Sequence, residues 1–214
     1  MPIPSSVPPS RFSADAVDPN RPVVEGHHGA DYYALMTEAL HKILLEKRLL
    51  ADGDTDRVIA ALEAPNVTCG ARIVAEAWRD EAYAQRLVAD GSKAAAELGF
   101  KIKEAKLVVV RNTPRLHNVI VCTLCSCYPR SLLGQPPWWY ISKNYRARTV
   151  REPRKVLAEF GLDLPAEVEL RVHDSNADMR YLVLPMAPEG STDWPVERLI
   201  PMVTRHMLVG TAVA

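Results

Sequence analysis

Six consecutive residues, Cys122-Thr123-Leu124-Cys125-Ser126-Cys127, constrain this chain more than any other segment. Three of its four cysteines fall in that window, directly after the apolar run Val119-Ile120-Val121. Thiols this close cannot each staple a distant part of a fold, but they can converge on one metal ion. The Cys125-Ser126-Cys127 half adds a second donor type. With two sulfurs one residue apart, the backbone nitrogens of Ser126 and Cys127 come within reach of the same ion. Amide nitrogen binds as an anion, so this chelate suits a strongly Lewis-acidic, six-coordinate ion better than tetrahedral zinc, which takes side-chain N and S ligands. The competing arrangement is a four-cysteine zinc site completed by Cys69. Cys69 stands apart at the start of a helical stretch and reads better as a small packing or capping residue.

The rest of the composition narrows the setting. A chain of 214 residues can bury a real core, as one domain or a small domain plus an appendage. Its 26 basic and 26 acidic residues balance to zero with no dominant basic stripe, so no nucleic-acid partner is expected. The apolar runs fall far short of a bilayer span, and no membrane partner is expected either. Pro2, Pro4, Pro8 and Pro9 stand where a signal peptide would need basic and apolar segments, which predicts a cytoplasmic protein. In a reducing compartment, clustered cysteines mean metal or redox chemistry rather than a disulfide framework.

Along the chain, residues 1–30 carry six prolines and little apolar pattern, and read as a flexible tail. His27-His28 within it reads as a solvated pair. Residues 31–105 read as an N-terminal helical arm. Leu35, Met36, Ala39, Leu40, Ile43 and Leu44 recur at helical spacing, and further helices are expected over 54–64, 70–78, 81–89 and 92–98, with Gly99 closing the last. Residues 106–214 read as an α/β domain carrying the cysteines. Its expected strands are 107–110, 119–121, 168–172 and 181–184. Pro153 suits the first turn of a helix, and a last helix over 196–206 follows Ser191 or Thr192. The fold class is therefore α+β, a helical arm followed by a layered metal-binding domain.

The segment Val121 to Cys127 resembles the metal claw of the nitrile hydratase α-subunit and of the related thiocyanate hydrolase γ-subunit. The resemblance continues through Leu133-Gly134-Gln135-Pro136-Pro137, Trp139-Tyr140, Tyr145-Arg146-Ala147-Arg148, Val150 to Leu157, Asp174 and Arg180-Tyr181 to Val203-Thr204-Arg205. Upstream it is weaker, in Gly70 to Val74, Ala77-Trp78 and Asn112-Thr113-Pro114. It implies a low-spin trivalent ion bound by the sulfurs of Cys122, Cys125 and Cys127 and by the amides of Ser126 and Cys127. Cys125 would be oxidised to sulfinic acid and Cys127 to sulfenic acid, as low-pKa, metal-bound thiolates climb the oxidation ladder selectively. Thr123 matches the cobalt branch, which makes Co(III) the expected cofactor and iron the lesser one.

An open sixth position would let the ion polarise a nitrile or activate water. The Cys127 sulfenate would then serve as nucleophile or general base, with Ser126 hydrogen-bonding inside the claw. The resemblance also implies a β-type subunit on a separate chain, a small nitrile as substrate, and a metallochaperone or activator. Several of Arg130, Arg146, Arg148, Arg151, Arg154 and Arg180, with Asp174, would tie the claw domain to that partner. Trp138, Trp139 and Tyr140 are expected in the core or at the interface.

Three departures bear on substrate. Arg130 stands where nitrile hydratases of the ordinary type carry tryptophan, and Gly134-Gln135 replaces Gly-Leu. Ile102 to Ala105 stands where a glutamine-bearing segment is usual, so that glutamine has no match. These features lean toward thiocyanate hydrolase and toward nitrile hydratases built from three polypeptides, the toyocamycin type included. An arginine-lined pocket would favour a polar or anionic substrate over an alkyl nitrile. A non-catalytic metal-carrying assembly module is the alternative of a different class.

Overall fold

The computed structural model describes residues 32–63, 66–191 and 193–214, so the expected tail and His27-His28 lie outside the described residues. Two helices come first, α1 (Tyr32–Glu46) and α2 (Asp54–Glu63). They touch through Thr55 Oγ1 and His41 Nε2, 3.0 Å apart. The apolar row expected to bury α1 stays in the open: Leu35, Met36, Leu40 and Ile43 are 45–61% exposed. Periodicity made the helix, but no described surface of the same chain covers that row.

Three capped helices follow, α3 (Val67–Arg79), α4 (Glu81–Ala89) and α5 (Gly91–Glu97). Each starts on a side-chain acceptor. Asn66 accepts from Thr68 N, Asp80 from Ala82 N and Tyr83 N, and Asp90 from Lys93 N. Such caps satisfy amide groups that the first turn leaves unpaired, at roughly 1 kcal/mol each. Their inner faces, with Ile73, Val74, Ala84, Leu87 and Ala95, join one core with Leu107, Val109, Leu182 and Leu184. Gly91 permits the close approach of α5. A Cβ there would lie 2.8 Å from the Leu107 carbonyl oxygen.

Four strands form two parallel pairs. β1 (Lys106–Arg111) pairs with β4 (Met179–Leu184), and β2 (Leu116–Val121) with β3 (Glu169–Asp174). Residues 112–115 reverse the chain between β1 and β2, closed by a Thr113–Leu116 bridge. Between β2 and β3 lie the cysteine loop and four helices: α6 (Arg130–Leu133), α7 (Trp138–Ile141), α8 (Lys143–Arg151) and α9 (Pro153–Glu159). Pro153 begins α9 as expected. Trp139, Tyr140 and Tyr145 are buried in the core, and the ring of Trp139 stacks on His206 at 5.2 Å.

The expected last helix is three pieces: α10 (Val196–Leu199), a 3-10 turn (Ile200–Met202) and α11 (Arg205–Val209). Pro201 cannot donate to an α-helical ladder, and Thr204 caps a new start through Met207 N. Ser191 bonds back to the Pro188 carbonyl instead of capping α10, while Thr192 lies outside the described residues. No described helix is long and apolar enough to cross a membrane.

Candidate metal centre

The cysteine loop begins where β2 ends, and the β2–β3 register sets its surroundings. Val121 pairs with Asp174, so the carboxylate at the end of β3 lies beside Thr123. It accepts from Thr123 N at 2.9 Å and from Thr123 Oγ1 at 2.5 Å. From α8, Arg146 reaches the other side. Its Nε donates to the Cys122 carbonyl at 3.0 Å, and one terminal nitrogen donates to the carbonyls of Thr123 and Leu124 at 2.8 and 2.9 Å. Tyr140 Oη donates to the Cys127 carbonyl at 2.8 Å, and Tyr145 Oη to that of Ile120 at 2.6 Å.

Held this way, the three sulfurs converge. Cys122 Sγ is 3.7 Å from Cys125 Sγ, which is 3.2 Å from Cys127 Sγ, and all three lie within 4.8 Å of one another. At a metal–sulfur bond of about 2.3 Å, tetrahedral ligands sit about 3.8 Å apart and adjacent ligands of a six-coordinate ion about 3.3 Å apart. Both observed separations suit sulfurs that share an ion. Cys122 and Cys127 are buried and Cys125 is exposed, so a bound ion would be reached from the Cys125 side. Cys69 only packs against the core and is not part of the cluster.

The proton inventory is uneven. The Cys125 thiol is held below its ordinary value, first by the Cys127 thiol and then, against burial, by the Ser126 N–H, the Cys122 thiol and the Cys127 N–H. Burial pushes the Cys127 thiol up to about 12, with Cys125 and Cys122 adding to the rise and Arg180 opposing it. Among the claw amides, that of Cys125 donates to a sulfur, Cys122 Sγ, at 3.3 Å. Arg180 Nε is buried with no hydrogen-bond partner, an unused donor whose charge is felt at Cys127. Three converging sulfurs form a donor set able to hold a metal ion.

Family comparisons agree with the geometry. The family model described as nitrile hydratase, alpha chain, matches residues 31–212. The chain belongs to that family. It is 44% identical over 184 residues to the low-molecular weight cobalt-containing nitrile hydratase subunit alpha of Rhodococcus rhodochrous, covering 84% of this chain and 88% of the relative. It is 41% identical over 193 residues to the thiocyanate hydrolase subunit gamma of Thiobacillus thioparus, covering 85% and 79%. Among solved structures, a histidine double mutant of the Fe-type nitrile hydratase of Comamonas testosteroni Ni1 is 40% identical, with a TM-score of 0.78 and coverage of 86% and 92%. A recombinant thiocyanate hydrolase with partially modified cobalt centres is also 40% identical, with a TM-score of 0.76 and coverage of 86% and 91%. Relatives of both metal types are thus present.

Several arginines expected to face a partner act within this chain. Arg146 grips the loop, Arg148 is buried between Glu152 and Glu159, and Arg154 donates to the carbonyls of Leu164, Pro165 and Val168. Arg180 bonds the carbonyls of Asn176 and Met179. Arg130 opens α6 and is exposed. Glu104, in the segment where the usual glutamine has no match, accepts from Ser131 N at 3.0 Å and from its hydroxyl. It thereby fixes the start of α6. Ser126 is half-buried. Tyr140 and Glu104 carried no sequence signal for these contacts, because hydrogen bonds to distant backbone leave no local pattern.

Proposed function

We propose that this chain is the metal-bearing, catalytic α-type subunit of a cobalt nitrile hydratase that converts a nitrile to its amide. Cys122, Cys125 and Cys127 would hold the ion through sulfur, and Ser126 and Cys127 through their backbone nitrogens. The observation that carries this reading is the convergence of the three sulfurs within 4.8 Å of one another. Thr123 and the cobalt-containing relatives support cobalt over iron. When bound, the ion would supply Lewis acidity. The chain's own residues do the rest. Cys125 as sulfinate and Cys127 as sulfenate would supply oxygens to the site, and the Cys127 oxygen would serve as nucleophile or general base.

A β-type partner on a separate chain would complete the site. The claw lies on open surface, with Leu124 78% exposed, and the apolar row of α1 is uncovered. The two described clefts contain none of the claw residues; the larger opens at the far end of β1 and β4, beside Trp78 and Arg111. Donors from a partner would grip the oxidised sulfurs and exclude bulk water.

The test is to purify the complex, verify cobalt and cysteine oxidation by elemental analysis and mass spectrometry, and assay a small nitrile, a nucleoside nitrile and thiocyanate. Nitrile hydration is the expected result. Turnover of thiocyanate alone would replace this reading with thiocyanate hydrolysis to carbonyl sulfide and ammonia, which the exposed Arg130 favours. A metal-loaded complex inert to all three would leave a carrier module.

A further inference from the structure

The cysteine loop is fastened unevenly. Its first three carbonyls, of Cys122, Thr123 and Leu124, are all taken by the one guanidinium of Arg146. The amide and hydroxyl of Thr123 are both taken by the one carboxylate of Asp174. With these carbonyls turned outward, Cys125 N turns inward onto Cys122 Sγ at 3.3 Å, which brings those two sulfurs together. The next two carbonyls, of Cys125 and Ser126, accept no hydrogen bond from any described residue. The Cys127 carbonyl is fastened again, by Tyr140. The two loose peptide units are those that carry the nitrogens of Ser126 and Cys127.

We propose that Arg146 and Asp174 are positioning residues that shape the Cys122–Cys125 half of the loop for metal before any ion arrives, leaving the following two peptide units free to settle onto it. The inference rests on the metal-centre reading above and adds a role for residues that touch no ion. Its physical basis is preorganisation. A loop held in its bound shape gives up little conformational freedom on binding, whereas a loose one must be ordered at the ion's expense. Arginine suits the task because its flat fork of donors spans several carbonyls, which the single ammonium of lysine cannot do. The two free peptide units follow from the same logic, since a carbonyl locked by the scaffold would resist the small rotation that deprotonated coordination requires.

The experiment titrates the full chain with cobalt(II), reading the dissociation constant from sulfur-to-metal absorption and the stoichiometry from elemental analysis. Arg146→Lys and Asp174→Asn are compared with the parent and with Arg154→Lys, whose guanidinium holds carbonyls far along the chain from the claw. Positioning partners of metal sites are typically worth 10–100-fold in affinity. The two claw variants are expected to bind cobalt weaker by about that factor, with Arg154→Lys matching the parent. Amide exchange at residues 122–125 of the metal-free chain is expected to be slow in the parent and faster in both claw variants.

Folded variants that bind as tightly as the parent, or exchange equally slowly, overturn the proposal while leaving the metal centre intact. A parent chain that takes up no cobalt overturns the metal-centre reading first. Should Asp174→Asn fail to fold, Thr123→Val removes only the hydroxyl bond and carries the same comparison, with a several-fold loss expected.

Discussion

The two ends of β2 are both polar, and they use polarity in opposite ways. At its start, Asn118 Nδ2 donates to the Arg111 and Asn112 oxygens, while Asn118 Oδ1 accepts from His173 Nε2. Asn112 Nδ2 meets His117 Nδ1, and His117 Nε2 donates to the Gly210 carbonyl at 2.8 Å. Donors and acceptors pair off inside the chain, with Asn112, His117 and Asn118 buried and His173 half-buried at the edge. At the other end, thiols crowd together on an open face, Arg180 Nε lacks a partner, and two backbone carbonyls are unclaimed. A closed network specifies a fold, and an unfinished one specifies a ligand.

The sharpest way to break this contrast is at the cysteines. Cys125→Ala or Cys127→Ala is expected to abolish stoichiometric metal and reduce hydration to background while leaving the denaturation midpoint of the metal-free chain nearly unchanged, by metal analysis and urea melts. A large drop in that midpoint would mean that the open end also builds the fold.

Gly210→Ala attacks the closed end. Gly210 has φ +89°, and a Cβ there would lie 2.0 Å from the Asn118 carbonyl oxygen. The expected cost is on the order of 3 kcal/mol in urea unfolding, from backbone strain and displacement of β2. The folded fraction should still bind metal.

Acid should separate the ends more gently. Burial lowers the His117 pKa, with the Gly210 carbonyl opposing. Because the folded value lies below the unfolded one, near 6.5, the stability that neutral His117 contributes is fully present above about pH 6.5. It is lost as pH falls toward the folded pKa. Urea midpoints measured from pH 7.5 to 5 should fall more steeply in the parent than in His117→Gln. Equal slopes would remove His117 from the account.

The smallest expected effect is at Cys69. Its replacement by serine should leave cobalt content unchanged and alter stability by less than about 1 kcal/mol, because Cys69 only packs at the margin of the core. Loss of metal in that variant would revive the four-cysteine site.

What could be read from the chain in advance follows the range of the interactions. The α3, α4 and α5 helices were legible, since periodicity and the caps are local; even so, the last was expected to begin at Ser92 rather than at the Asp90 cap. The convergence of the three cysteines was legible for the same reason: they lie within six residues. Strand positions could be read, but not the pairing of β1 with β4 and β2 with β3, which depends on which segments meet after collapse. The end helix was expected to run on through Pro201, although proline already argued for the break. The contacts that Arg146 and Asp174 make inside the chain were not legible. Nothing in a local sequence says which of its own carbonyls an arginine will find.

The in-register pairing of β2 with β3 also sets an order of events. The carboxylate that holds Thr123 lies 51 residues further along the chain. At translation rates of about 5–20 residues per second, the cysteines leave the ribosome roughly 3–10 s before Asp174 does. Through that interval the loop exists without its carboxylate, and an ion captured then would meet three thiols not yet set in place. If the loop takes up an ion, correct loading would then be a matter of timing as well as affinity, because the receiving shape is complete only once β3 has closed on β2.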